Sequence, residues 1–190
     1  MAIAAIILAI AVPNFREFAA NNRMTSTAND LLAATHAART EAIKRHVQTV
    51  FCFASDPLGN APDCDGTPAD GWIVFVDDAD PAVSAADDNN LEVDTNEPIL
   101  LRHGPMHDSV SVRSNPSGNI GYVAYNAAGF LREIPAIGTA VDSLVLCDDR
   151  GNNALYGPAQ STARGFVVSA TGRPSVTRVV ADITTLGDCP

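Results

Sequence analysis

Residues 1–45 read MAIAAIILAIAVPNFREFAANNRMTSTANDLLAATHAARTEAIKR and contain two helical patterns joined at a proline. Residues 1–12 are continuously apolar, and Pro13 interrupts them. Beyond the proline, small apolar side chains recur three or four residues apart, at Ala28, Leu31, Ala34, Ala38 and Ala42. The segment therefore predicts one long helix from Ala2 to about Arg45, kinked near Pro13 because proline removes a helical hydrogen bond. We divide it into an apolar part, residues 1–12, and an amphipathic part, residues 13–47.

The apolar part is unsuited to water. It lacks the basic start and the cleavage site of a secretory signal, and it is shorter than the roughly 20 apolar residues of a membrane-spanning helix. We interpret it as the distal part of a longer hydrophobic helix whose beginning is absent. Phe15, Phe18 and Leu31 are expected to pack against neighbouring chains or against the domain itself. The residues assigned to contact with a membrane and with a helical bundle are Ile3, Ile6, Ile7, Leu8, Ile10, Val12 and Pro13.

From Gln48 onward the pattern changes to short extended runs separated by Gly, Pro, Asn and Asp. The alternation begins around residues 47–53 and continues in WIVFV (72–76), ILL (99–101), VSV (110–112), SLVLC (143–147) and FVV (166–168). Runs of this length predict antiparallel sheets packed on the amphipathic part of the helix. The fold class is therefore α+β, with residues 48–190 as one β-rich head domain.

Charge and cysteine content restrict the compartment and the partners. The chain carries 22 acidic and 12 basic residues, a formal charge of -10 that disfavours binding to nucleic acid. Its four cysteines show no CxxC pair and no zinc spacing. Cysteines nearest in sequence are expected to form disulfides, Cys52 with Cys64 and Cys147 with Cys189. Disulfide formation requires an oxidising compartment such as the periplasm or cell exterior. Four reduced cysteines in the core are the alternative.

No motif in the sequence indicates an enzyme or a cofactor site. GxSxG, Walker and GxGxxG patterns are all missing from the sequence. The stretch from Asp77 to Asp94 is expected to be a solvated loop, because it is acidic and has almost no large apolar side chain. Its carboxylates could wrap a calcium ion, but the offsets of an EF-hand loop are not met. His103 and His107 are four residues apart, but Gly104 and Pro105 between them argue against a helix aiming both at one metal. We predict no catalytic residue, no metal and no small-molecule substrate.

An ordered set of segments resembles a known family. AVPNF (11–15) and HAARTEAIKRHVQTVFC (36–52) are followed by DGWIVFVDDAD (70–80), EPILLR (97–102), YNAAGFL (125–131) and GFVVSATGRPSV (165–176). Together they resemble the GspH/FimT/FimU group of type IV minor pilins and type II secretion pseudopilins. The resemblance implies a pilin-like fold, with the long helix packed against an antiparallel sheet domain. Members begin with a basic leader, a peptidase site and a glutamate, so about nine mature residues are expected to be missing here.

The resemblance also implies a function in assembly. The chain is expected to be a minor pilin that primes or caps a type IV pilus at its tip, with other pilins or pseudopilins as partners. It would sit in the inner membrane with a periplasmic head and then enter a periplasmic or extracellular filament. An H-type pseudopilin acting in protein secretion is one alternative. A soluble extracellular binding module is an alternative of another class.

A further alternative is a DNA-binding minor pilin for natural transformation. In DNA-receptor members of the group, a glycine-arginine motif with a second arginine two places on contacts DNA. Gly172 and Arg173 match that motif, but position 175 is serine and the next arginine is Arg178. The candidate DNA contacts are Arg164, Arg173 and Arg178, and the displaced second arginine argues against this role. A turn between strands with a solvated Arg173 is the alternative for the same segment.

Overall fold

The computed structural model describes residues 2–77, 90–94, 96–114, 121–134, 140–152, 159–187 and 189, with the backbone alone for residues 2–10. Helix α1 (Ala2–Arg45) is followed by strands β1 (Thr49–Phe53), β2 (Trp72–Val76), β3 (Ile99–His103) and β4 (Ser111–Ser114). Then come β5 (Tyr122–Tyr125), β6 (Leu131–Arg132), β7 (Ser143–Cys147), β8 (Gln160–Val168) and β9 (Pro174–Val179), and the chain ends in helix α2 (Val180–Leu186). The α+β class and the long N-terminal helix are confirmed.

The described strands form two antiparallel sheets. Sheet A has the order β3-β2-β1-β5-β6, and sheet B has the order β4-β7-β8-β9. Strand β1 is central in sheet A, where Phe51 lies opposite Val74 on one side and opposite Val123 on the other. In sheet B, Leu144 pairs with Phe166. Strand β9 forms one edge of this sheet and β4 the other.

One apolar core joins α1 to both sheets. Sheet A contributes Phe51 and Trp72 to it, and sheet B contributes Leu144 and Phe166. The helix contributes the predicted stripe of small side chains, all of them at most 2% exposed: Ala28, Leu31, Ala34, Ala38 and Ala42. Small side chains allow the helix backbone to lie close to the strands, so large residues on the sheets fill the space between them. Leu31 thus packs inside the domain.

The outer face of each sheet is also covered. Alternate strand residues, such as Val50 and Phe75, pack under the loops of sheet A with Leu91 and Ile134. On sheet B, Val145 and Ala163 pack against Ile183 of α2. Strands β1, β2, β5 and β7 are therefore buried on both faces, which explains why WIVFV and SLVLC read as continuous apolar runs.

Two disulfides tie these outer layers to the sheets. Cys52 of β1 is bonded to Cys64, and Cys147 of β7 is bonded to Cys189. This is the pairing of sequence neighbours, and no described cysteine is free. The first bond holds the loop after β1 against sheet A, and the second holds the residue that follows α2 against sheet B.

Asp77 corrects one expectation. The sequence predicts that Asp77 begins a solvated acidic loop, but its side chain is fully buried at the end of β2. The Gln48 side chain and the backbone N–H of Asn90 both donate to its carboxylate, at 3.0 and 3.2 Å. Residues 78–89 of the same stretch lie outside the described residues.

Enlarging the small-residue stripe should destabilise the fold. We expect Ala34→Leu to lower the free energy of unfolding by about 1–3 kcal/mol, because the added carbons have no space between α1 and the sheets. Ala33 is exposed on the same helix, so Ala33→Leu is a matched control that should stay within about 0.5 kcal/mol of the parent. Urea denaturation measures both, and equal effects of the two substitutions would contradict the packing described.

Removal of the two disulfides should have unequal effects. The Cys147–Cys189 bond closes a separation of 42 residues, against 12 for Cys52–Cys64. Chain entropy then predicts that the Cys147→Ser/Cys189→Ser protein is less stable than the Cys52→Ser/Cys64→Ser protein by about 1 kcal/mol. Urea denaturation of the two double variants measures the difference. The reverse order would show that native-state contacts outweigh loop entropy here.

Candidate assembly interface

The first half of α1 carries exposed apolar side chains. Residues 11–18 are all exposed, including Val12 (45%), Phe15 (70%) and Phe18 (61%), whereas Met24 is fully buried. We call residues 11–18 the arm. Phe15 and Phe18 do not pack into the head, which leaves the expectation that they contact neighbouring chains. Pro13 lies within the continuous helix and is exposed.

The other residues assigned to the membrane and bundle contact belong to the same helix. Ile3, Ile6, Ile7, Leu8 and Ile10 lie on the α1 backbone, and their side chains are outside the described residues. None of the helices, over the part of the chain that the structure describes, combines the length and apolarity that a membrane crossing requires.

Polar contacts hold α1 to sheet B where the helix leaves the head. The Arg150 side chain donates to the Asn21 amide oxygen at 3.0 Å and also pairs with Asp148. One turn further along α1, Thr25 accepts a hydrogen bond from Arg164 at 3.3 Å. Asn21 and Thr25 therefore lie on the face of α1 that meets sheet B. We call this junction the neck.

Arg39 joins three parts of the head near the other end of α1. Its Nε donates to the carbonyl oxygen of Gly129 at 2.9 Å, and its Nη2 donates to that of Thr171 at 3.1 Å. These residues belong to the HAARTEAIKR, YNAAGFL and SATGRPSV segments of the resemblance. Three segments that are distant in sequence therefore meet at one guanidinium group. Arg39 was not singled out from the sequence, although its place within a quoted segment was a usable signal.

Backbone conformation and close contacts explain why glycine occupies positions 129 and 172 in these segments. Gly129 and Gly172 adopt φ values of 78° and 75°, in the left-handed region that favours glycine. A Cβ on Gly172 would collide with the Gly129 carbonyl oxygen, and a Cβ on Gly129 would lie 2.6 Å from the Ile43 side chain. Gly172 thus belongs to the turn between β8 and β9, and it lets this turn approach the one before β6.

The three candidate DNA contacts do not form one exposed patch. Arg164 is only 3% exposed and donates to backbone carbonyls and to Thr25. Arg178 is half-buried on β9, and Arg173 is exposed in the turn before that strand. Burial removes Arg164 from the reach of a phosphate backbone. Arg173 is thus the one of the three that is fully available at the surface.

His103 and His107 contact neighbouring side chains in the head. The His103 ring stacks on Trp72 with centroids 3.8 Å apart, and its Nε2 lies 3.8 Å from the Asp30 carboxylate. His107 lies in the following loop and contacts Ser109. No group of three or more metal-ligating side chains comes together among the described residues.

Replacement of Arg39 should loosen the head. We expect Arg39→Met to lower the free energy of unfolding by about 2 kcal/mol, because two carbonyl oxygens lose a charged donor. Arg39→Lys keeps the charge but cannot reach both carbonyls from one planar group, so it should restore only part of the loss. Arg173→Met, on the adjacent turn, is the exposed control, expected within about 0.5 kcal/mol. A parent-like Arg39→Met protein would refute a stabilising role of these contacts.

Comparison with known proteins agrees with this architecture. The family model of the type II transport protein GspH matches residues 27–172, a range that includes Arg39, Gly129 and Gly172. The crystal structure of the type IV minor pilin FimU of Pseudomonas aeruginosa PAO1 in space group P21 aligns with a TM-score of 0.51 and 16% identity. That alignment covers 84% of this chain and 92% of the other.

A second FimU crystal form, in space group P65, aligns with a TM-score of 0.49 and 16% identity, covering 80% and 91% of the two chains. No curated protein sequence matches this chain. The family match covers most of the chain, and the FimU alignment shows a common fold. The chain therefore belongs to the GspH family of type II transport proteins and has the pilin-like fold seen in the minor pilin FimU.

Proposed function

We propose that this protein is a minor pilin that primes or caps the assembly of a type IV pilus at its tip. The apolar end of α1 holds the subunit at the inner membrane, with the head in the periplasm. On assembly, the same end moves into a bundle formed by the helices of neighbouring subunits. Its role is structural, and other pilins or pseudopilins are its partners.

The observation that carries this proposal is the exposed arm. Val12, Phe15 and Phe18 present large apolar surfaces to solvent, although the same helix is packed into the head from Met24 onward. Burial of one such side chain is worth about 1.5–3 kcal/mol, so the arm is stable only where other apolar groups cover it. A lipid bilayer and a bundle of similar helices both provide that cover. The arm is thus suited to a subunit that exchanges one apolar environment for another.

A subunit of a type II secretion pseudopilus is the second candidate. The observation in its favour is the family description itself, a type II transport protein, whose model matches residues 27–172. The exposed arm serves either assembly, because both place an apolar helix in a bundle. The two candidates differ in the assembly that the subunit joins. One is a type IV pilus, and the other is a pseudopilus that acts in the secretion of other proteins.

Gene deletion followed by complementation tests these candidates. Surface pili, secreted proteins and DNA uptake should be scored side by side in the same strains. Loss of surface pili supports the tip minor pilin, and loss of secretion with pili intact supports the pseudopilin. Loss of DNA uptake with pili intact would instead identify a DNA receptor. No change in any of the three would overturn the proposed role in assembly.

Polar substitutions on the arm should block assembly without unfolding the head. We expect Phe15→Ser/Phe18→Ser to abolish complementation, because the arm loses most of its large apolar surface. The urea midpoint of the purified protein should not change, since neither side chain packs into the head. Leu58 is 65% exposed on the head, so Leu58→Ser is the matched control and should complement normally. Full complementation by the arm variant would contradict the assembly role of these side chains.

A further inference from the structure

Three arginines meet in the wedge between α1 and sheet B at the neck. Gly165 of β8 pairs with Thr177 of β9, and the next pair is Gln160 with Val179, so Arg178 lies opposite the bulged stretch of β8 that contains Arg164. Arg150 follows β7 and reaches Asn21 of α1. We call Arg150, Arg164 and Arg178 the arginine wedge. Arg178 lies on the edge strand β9 and is only half-buried, so this side chain can be reached from outside the head.

Arg164 is a buried cation whose hydrogen-bond acceptors are all neutral. Its Nη1 donates to the carbonyl oxygens of Thr162 at 2.7 Å and Ala163 at 3.0 Å, and its Nη2 donates to the Thr25 hydroxyl. Burial, together with the nearby positive charges of Arg178 and Arg150, lowers the pKa of the Arg164 guanidinium to about 10. At physiological pH the group is still protonated, so a charge stays buried in the wedge.

In the part of the molecule that the structure describes, the wedge holds little negative charge to balance its cations. Asp148 is the carboxylate that pairs there, and the guanidinium of Arg150 holds both of its oxygens. The Nε of Arg178 is buried and has no hydrogen-bond acceptor within the described part of the chain. Among the described residues, the Asp148 carboxylate pairs with Arg150, and neither Arg164 nor Arg178 has a carboxylate partner, in a molecule whose net charge is -10. A buried donor without an acceptor and an excess of cations both indicate a site for an anion.

We propose that the arginine wedge binds an oxyanion and that, in the assembled filament, this oxyanion is a side-chain carboxylate on the helix of a neighbouring subunit. The identification of this oxyanion as a carboxylate of a neighbouring subunit rests on the proposed function in filament assembly. Guanidinium groups bind carboxylates through paired, planar hydrogen bonds, which fits the free donor of Arg178. The wedge also lies where α1 leaves the head, which is where helices of neighbouring subunits would pass.

The arm of this chain illustrates the geometry of such a contact. Glu17 is an exposed carboxylate four residues before Asn21, on the same side of α1. Four residues correspond to about 6 Å along a helix. A neighbouring pilin helix displaced by about one turn would therefore bring a carboxylate at an equivalent position to the level of the wedge.

Anion binding can be measured directly on the full chain in non-ionic detergent. Inorganic phosphate and acetate are titrated at constant ionic strength, with chloride as the balancing anion, and the arginine Nε–H signals are followed by NMR. We expect the Arg178 signal to shift and saturate with phosphate and acetate. A response to chloride alone, or no saturable response, would overturn the oxyanion site. This measurement needs no substitution and does not depend on filament assembly.

Substitutions at the two edges of sheet B localise the site. Arg178→Met should weaken phosphate binding by about tenfold or more, the scale of one charge-assisted hydrogen bond, and Arg178→Lys should weaken it less. Arg113 is exposed on β4, the opposite edge of the sheet, so Arg113→Met is the matched control and should bind as the parent does. Parent-like binding by folded Arg178→Met would also refute the site.

Complementation with the same variants distinguishes the two sources of the anion. If a neighbouring subunit supplies a carboxylate, Arg178→Met should lose filament assembly, Arg178→Lys should retain part of it, and Arg113→Met should retain all of it. If Arg178→Met loses phosphate binding but assembles normally, the ligand is a free anion and the subunit contact is refuted. Failure of the wild-type copy to restore any filament would instead count against the proposed function.

Discussion

The close approach of α1 to two separate sheets is the contact on which the rest of the structure depends. Sheets A and B share no strand pairing among the described residues, so their inner faces meet through one core that includes the helix. Alanines along one face of α1 leave room for Phe51, Trp72 and Phe166 beside the helix backbone. Because an interior packs at nearly constant density, the small helix residues and the large strand residues must be present together.

Arg39 and the arginine wedge act on this helix in different ways. Arg39 lies within the packed half and donates to two turns that meet at Gly129 and Gly172. The wedge lies where the helix leaves the head, and among the described residues it contains more positive charge than its surroundings balance. One arginine thus holds the head together, and the others leave it electrostatically incomplete. An assembling subunit needs both properties, a rigid head and a surface that a neighbour completes.

Much of the fold was predictable from local patterns. Apolar periodicity over residues 28–42 predicted the buried face of α1, and the runs at 72–76 and 143–147 are strands with those bounds. Strands β5, β6 and β9 and helix α2 were not predicted. The sequence YVAY is short and β6 has two residues, so neither shows a period long enough to detect. Strand β9 begins at Pro174, a residue that a pattern analysis assigns to a turn.

The sequence by itself determined the long helix and the α+β class, because both depend on neighbours in the chain. It left open whether the four cysteines pair, and the structure shows both disulfides. Only the tertiary structure decided which charged side chains are buried and which are exposed. Arg164, Arg173 and Arg178 look alike in sequence, yet the first is buried, the second is exposed and the third is half-buried. Asp77 likewise belongs to an acidic stretch and is buried. The reason is physical: burial and charge balance are set by residues far away in sequence, such as Thr25 and Asp148, which no local pattern contains.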